Sequence, residues 1–183
     1  MTVRPDKKRQ HRRRWMLSIA GMAIMAIVTP MAIRGPTLIL WNASASVPVG
    51  LYFVQPNASL HVGDLAVGKL PPDTLRLAAE RQYLPRDVLL IKPVAAVAGA
   101  AICRHGNEIY VDGVHTGNAQ ATDRHHRPMP NWQGCHALAS TEIFLMNPEV
   151  ADSFDGRYFG PIPRRLVQGR AFPLLTFAQP PRT

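Results

Sequence analysis

The feature that most constrains the fold is a charge-free run, Trp15–Ile33 (WMLSIAGMAIMAIVTPMAI), set directly behind a basic cluster. Helical residues rise 1.5 Å each, so a run of this length reaches roughly the ~30 Å hydrocarbon core of a bilayer. The net charge of +9 is unevenly placed. Arg4, Lys7, Lys8, Arg9, Arg12, Arg13 and Arg14 against Asp6 leave +6 ahead of the run, and the remainder of the chain carries +3. The basicity is therefore largely a tail, and no basic groove or direct nucleic-acid partner is expected. Basic flanks stay on the cytoplasmic side. The expected organisation is a cytoplasmic tail (1–14), a transmembrane anchor (15–33) in the inner membrane, and an exported, periplasmic domain (35–183). A cleaved secretory signal is the competing reading. The run is long for one, and no clear small-x-small site follows it unless Ala43-Ser44-Ala45 is counted.

Export bears on the only two cysteines, Cys103 and Cys135. In an oxidising compartment they are most simply a disulfide. Zinc is the alternative, given His105, His125, His126 and His136, but their spacing fits no standard zinc pattern. No metal or cofactor is expected.

Beyond the run the chain reads as many short strands with one modest helix. Strands are expected over Thr37–Trp41, Leu51–Val54, Leu60–Lys69, Glu142–Met146 and Val167–Phe177. The apolar stretch Val88–Cys103 reads as one or two buried strands bent at Pro93. Glu108–Thr116 reads as a hairpin turning at Asp112-Gly113. A helix is expected to start at Pro71-Pro72-Asp73, with Asp73 as N-cap, and to end at Pro85. Residues 117–134 form a long polar loop, which Cys135 could clip down. The pattern predicts a mainly β, largely antiparallel domain.

Three features carry chemistry. The stretch Asn42–Tyr52 (NASASVPVGLY) puts Ser44 and Ser46 between alanines, ahead of Pro48 and Gly50. Its bland reading is a polar turn. Lys92 sits inside an apolar strand, where desolvation disfavours the ammonium and lowers the pKa, so that the neutral amine can take a serine proton. Its bland reading is a lysine that snorkels to water. Ser153, Asp155 and Arg157 crowd one polar loop. No histidine sits in a recognisable nucleophile–base–acid setting and no G-x-S-x-G elbow is present, so a Ser–Lys pair fits better than a histidine triad.

These segments, in this order, resemble the type I signal peptidase family. NASASVPVGLY resembles its nucleophile segment, VLLIKPVAAVAG its lysine segment, EIFLMNP a core strand, and DSFDGRYFGPIP its C-terminal serine–aspartate–arginine segment. GRAFPLLTF resembles the closing strand. The resemblance implies a signal-peptidase-like antiparallel β domain with a Ser–Lys dyad. It implies Ser46 as nucleophile and Lys92 as general base. It also implies Ser44 as an oxyanion donor beside the Ser46 N–H, Ser153 as the hydroxyl that orients the lysine, and Asp155 with Arg157 as a supporting ion pair. Ser46-Val47-Pro48 is one residue shorter than the common Ser-Met-x-Pro, a form of the branch that serves conjugation. Lys92-Pro93 replaces the usual Lys-Arg, and Gly156 replaces a serine.

That branch implies a membrane-anchored serine endopeptidase that matures, and can cyclise, a conjugative pilin precursor, with the transfer apparatus as its partner. A general leader peptidase acting on signal-peptide-bearing substrates is the alternative within the class. A non-catalytic envelope component of a transfer or secretion apparatus is the alternative outside it.

Overall fold

The structure, a computed structural model, describes residues 7–32, 38–85 and 88–177. The chain divides into two compact units, Met1–Pro36 and Thr37–Thr183. The first contains helix α1 (Lys7–Ala32). Its described large apolar side chains, from Trp15 to Met25, are all exposed. Among the described residues, no helix is long and apolar enough to cross a membrane. The span expected over 15–33 lies partly outside this description, because side chains beyond Met25 and the whole of Ile33 are not covered, nor are residues 1–6 of the tail.

The second unit is built on a seven-stranded antiparallel sheet. Its strands are β1 (Ile39–Asn42), β2 (Val49–Pro56), β3 (Leu65–Gly68), β4 (Leu90–Ala96), β9 (Glu142–Leu145), β10 (Ile162–Pro163) and β11 (Val167–Phe177), in the order β1-β2-β11-β3-β4-β9-β10. A second sheet has the order β7-β6-β5-β8, formed by β5 (Ala101–His105), β6 (Glu108–Val111), β7 (Val114–Asn118) and β8 (Gly134–Ala137). Among the described residues, two short α-helices, α2 (Pro72–Glu80) and α3 (Gly156–Phe159), and a 3-10 turn (Arg164–Leu166) complete the unit. Alternation places Tyr52 and Val54 of β2, Val67 of β3, Ile91 of β4 and Ala171 of β11 in one core cluster. Ala66, Leu90, Val94, Ile143 and Leu145 form another on the opposite face, with Leu70 and Ala78 brought in by the α2 region. The mainly β, antiparallel class expected from the sequence is what forms.

Several local expectations are corrected. Asp73 is not the N-cap of α2. Pro71 takes that position without a side-chain cap, and Pro72, whose fixed φ suits a first helical turn, starts the helix. The helix ends at Glu80 and not at Pro85. Gln82 turns left-handed (φ 60°), and the N–H groups of Tyr83 and Leu84 fold back onto the Ala78 carbonyl. The stretch 88–103 does form two strands, β4 and β5, and the β4–β9 register shifts just beyond Pro93, between Val94 and Ala96. Pro93 stays in β4 opposite Leu65, the first residue of β3, and the reversal falls at Gly99 (φ 91°). The last strand, β11, lies inside the sheet between β2 and β3.

The hairpin turn at Asp112 (φ 48°) and Gly113 (φ 77°) has both residues in the left-handed region, as a two-residue hairpin requires. Cys103 of β5 lies opposite Cys135 of β8, and the two are joined by a disulfide. It closes a loop with a sequence separation of 32. Chain entropy gives such a closure about 3–4 kcal/mol. Reduction with dithiothreitol is therefore expected to lower the melting temperature by roughly 10 °C, read by calorimetry. An unchanged transition on full reduction would contradict this.

Candidate active site

The stretch between β1 and β2 is shaped by two asparagines that the sequence reading passed over. Asn42, at the end of β1, accepts a hydrogen bond from the Ser44 N–H through Oδ1 (3.1 Å). This is the local asparagine turn expected of such a residue. Its Nδ2 lies within hydrogen-bond distance of the Ser44, Val47 and Pro48 carbonyls, at 2.8, 3.2 and 3.1 Å. The Tyr52 hydroxyl also donates to the Pro48 carbonyl (2.7 Å). Burial pushes the Tyr52 phenol above its ordinary pKa, so it remains a donor throughout the neutral range. Gly50 is required here, because a Cβ would meet the Leu175 carbonyl oxygen of β11 at 2.1 Å.

Within this loop the two serines differ. Ser46 is buried and Ser44 is exposed. Their hydroxyls lie 2.6 Å apart, and the Ser46 N–H also donates to Ser44 Oγ (3.3 Å). Ser44 thus sits against both the hydroxyl and the amide of Ser46.

Lys92 is not a snorkelling lysine. It lies in β4 opposite Ala66 of β3, only 6% exposed, and its Nζ donates to Ser153 Oγ at 2.7 Å. Ser153 is itself buried. The lysine and the serine thought to orient it are therefore in direct contact, across 61 residues of sequence.

Asp155 and Arg157 form a fully buried pair. Asp155 also caps α3 by accepting from the Arg157 N–H (3.2 Å). Its Oδ1 accepts from Arg157 Nε (2.8 Å), and its Oδ2 from Arg157 Nη2 and the Asn147 N–H (both 3.1 Å). Arg157 further donates to the carbonyls of Asn118, Ala151 and Asn147. The glycine that departs from the family pattern has a physical reason. A Cβ on Gly156 would meet the Phe144 ring at 2.6 Å and the Leu145 carbonyl at 2.7 Å.

Asn147, two residues beyond the end of β9, connects these groups. Its Nδ2 donates to the Ser46 carbonyl at 2.6 Å. A strand followed by Asn-Pro reads as a plain turn, so only the quoted EIFLMNP segment pointed to it. Arg104 of β5 was also missed. It is 2% exposed and donates to the Arg157 carbonyl (2.6 Å).

The loop clipped by the disulfide presses on the same segment. Trp132 Nε1 donates to the Gly156 carbonyl (3.0 Å), the Gln120 N–H to the Tyr158 hydroxyl (3.1 Å), and Arg124 pairs with Asp152 (2.7 Å). At its centre, burial works against the Asp123 carboxylate. Hydrogen bonds from Tyr83, Arg127 and the His125 N–H outweigh it and hold that carboxyl well below the usual range. His105 lies beside Cys103 and Cys135, but the two sulfurs are bonded to each other.

Within a mainly antiparallel β unit, a buried lysine thus donates to a serine hydroxyl, and a serine-bearing turn is held by Asn147. The family model for signal peptidase, peptidase S26, matches residues 12–175, and the chain belongs to that family. Among its relatives is a probable conjugal transfer protein TraF of Sinorhizobium fredii, 34% identical over 91% of this chain and 94% of the relative. A plasmid transfer protein TraF of Escherichia coli is 29% identical over 87% and 93%. A conjugal transfer protein TraF of Agrobacterium tumefaciens is 30% identical over 90% and 97%. Among solved structures, a signal peptidase I of Enterococcus faecalis matches with 13% identity and a TM-score of 0.38, covering 62% of this chain and 97% of that one.

Proposed function

We propose that the protein is a membrane-anchored serine endopeptidase that matures a conjugative pilin precursor, with Ser46 and Lys92 as its catalytic dyad. The observation that supports this reading is the buried Lys92–Ser153 contact. One Lys92 N–H given to Ser153 leaves the lone pair of the neutral amine directed by the protein, as a general base requires. Lys92 takes the Ser46 proton as Oγ attacks the carbonyl after a small residue. The resulting oxyanion is held by the Ser46 N–H and the Ser44 hydroxyl, once Ser44 turns from its resting contact with Ser46; one such donor is worth ~10²–10³ in rate. The protonated lysine then gives its proton to the leaving amine as the C–N bond breaks. Water, or the pilin's own N-terminal amine, resolves the acyl-enzyme and gives a proton back through Lys92 to Ser46. The amine competes only if it is held closer than water.

In this reading α1 anchors the chain in the inner membrane. The basic residues stay in the cytoplasm, and the β unit stands in the periplasm beside the transfer apparatus. The names of the TraF relatives support the conjugative setting. The test is mass spectrometry of a precursor co-expressed with the full chain. A shortened pilin is expected, and a cyclic product is one water lighter than the linear one. An intact precursor alongside folded, membrane-fractionated protein would refute the reading.

A further inference from the structure

We propose that Asn147 is a positioning residue for the nucleophile, coupling the Ser46 loop to the buried ion pair. The inference rests on the peptidase reading above.

Asn147 is 7% exposed, and each of its polar groups is used in a different direction. Its Nδ2 holds the Ser46 carbonyl at 2.6 Å. Its Oδ1 accepts from the Glu149 N–H (3.0 Å), which fixes the amide orientation so that Nδ2 faces Ser46. Its main-chain N–H donates to Asp155, and its main-chain carbonyl accepts from Arg157. The side chain therefore grips the nucleophile's carbonyl while the backbone is clamped by a fully buried pair.

The geometry has a direct chemical consequence. The peptide bond is planar, so fixing the Ser46 carbonyl fixes ψ of Ser46. That sets the angle at which the 46–47 peptide plane leaves the Cα that carries Oγ. Asn42 grips the neighbouring Val47 and Pro48 carbonyls from the other end of the loop. Asn147 supplies the grip on Ser46 itself. The same clamp reaches the Ser153 segment, because Arg157 also donates to the Ala151 carbonyl, two residues before the hydroxyl that holds Lys92. Nucleophile and base are thus referred to one rigid origin. A displacement of about 1 Å at such a site can lower turnover about 10²-fold.

The test compares the full-length wild type with Asn147→Ala and Asn147→Asp in detergent. The probe is an internally quenched precursor peptide carrying alanine before the scissile bond. Asn147→Asp keeps the shape and the Oδ1 acceptor but turns a carboxylate oxygen toward the Ser46 carbonyl. Both variants are expected to lose kcat about 10–100-fold with KM within about twofold. The kcat ratio of Asn147→Asp to wild type is expected to rise as pH falls, since a protonated carboxyl regains a donor. A purely structural role would move neither the kcat-against-KM split nor this ratio. Unchanged kcat, a loss carried by KM, or both variants unfolded at assay temperature would overturn the inference. The peptidase reading is checked separately by the wild type, whose activity must vanish in Ser46→Ala.

Discussion

Lys92→Met is expected to lower processing by about 10⁴-fold or more, as removal of a dyad or triad member does in serine hydrolases, while the protein still folds. Methionine matches the lysine stem in length and leaves the apolar contacts of β4 in place. It also takes the amine away from the buried Ser153 hydroxyl, a loss of about 1–3 kcal/mol that a domain of ordinary stability survives. Ser46→Ala should lose activity to the same extent, and the double variant no more than either single one, because the two residues act as a unit. The pH profile supplies an independent check. The base must be neutral, and the neutral fraction of an amine rises tenfold per pH unit until it is fully deprotonated. Activity should rise with pH and then level off. The buried phenols cannot supply that rise in the neutral range, because burial pushes both Tyr52 and Tyr158 above the ordinary tyrosine range. A flat profile from pH 6 to 10, or a Lys92→Met enzyme with substantial turnover and the same KM, would exclude lysine as the base.

The candidate residues of this site stood out in the sequence as breaks in the local pattern, while their roles came from the resemblance to a known family. A lysine in VLLIKPVAAVAG and two serines in NASASVPVGLY are anomalies in their own windows. The bounds of β11 and the turn at Asp112-Gly113 followed from apolar patterning and turn chemistry alone. What could not be read is long-range. The partner of Asn147 lies 101 residues away, and nothing near Asn147 announces it. Arg104 shares the buried face of β5 with Ile102, where a period-two reading would expect an apolar residue. Its reason is the Arg157 carbonyl, visible only once the two sheets are placed. The position of β11 between β2 and β3 is likewise a matter of pairing, which strand propensity does not specify.

Asp155→Ala is expected to destabilise the β unit by about 3–5 kcal/mol, and activity should fall with it. The Asp155 side chain is 0% exposed and that of Arg157 is 1% exposed, so removing the carboxylate leaves a guanidinium without its counter-charge and out of reach of water. Asn is no remedy. The two carboxylate oxygens between them accept four hydrogen bonds, from the Arg157 N–H, Nε and Nη2 and from the Asn147 N–H. An amide would turn an NH₂ group toward donors at one of those oxygens. The comparison that matters is with Asp155→Ala combined with Arg157→Met. The double variant removes the orphaned charge together with its partner, and should recover part of the lost stability in denaturant unfolding. Activity should not return with it, because Arg157 also ties the Asn147, Ala151 and Asn118 carbonyls together. This separates two roles for Asp155. If it supports the site, stability and activity fall together in the single variant and part company in the double one. A stable but inactive Asp155→Ala protein would instead place the carboxylate in the proton transfer itself.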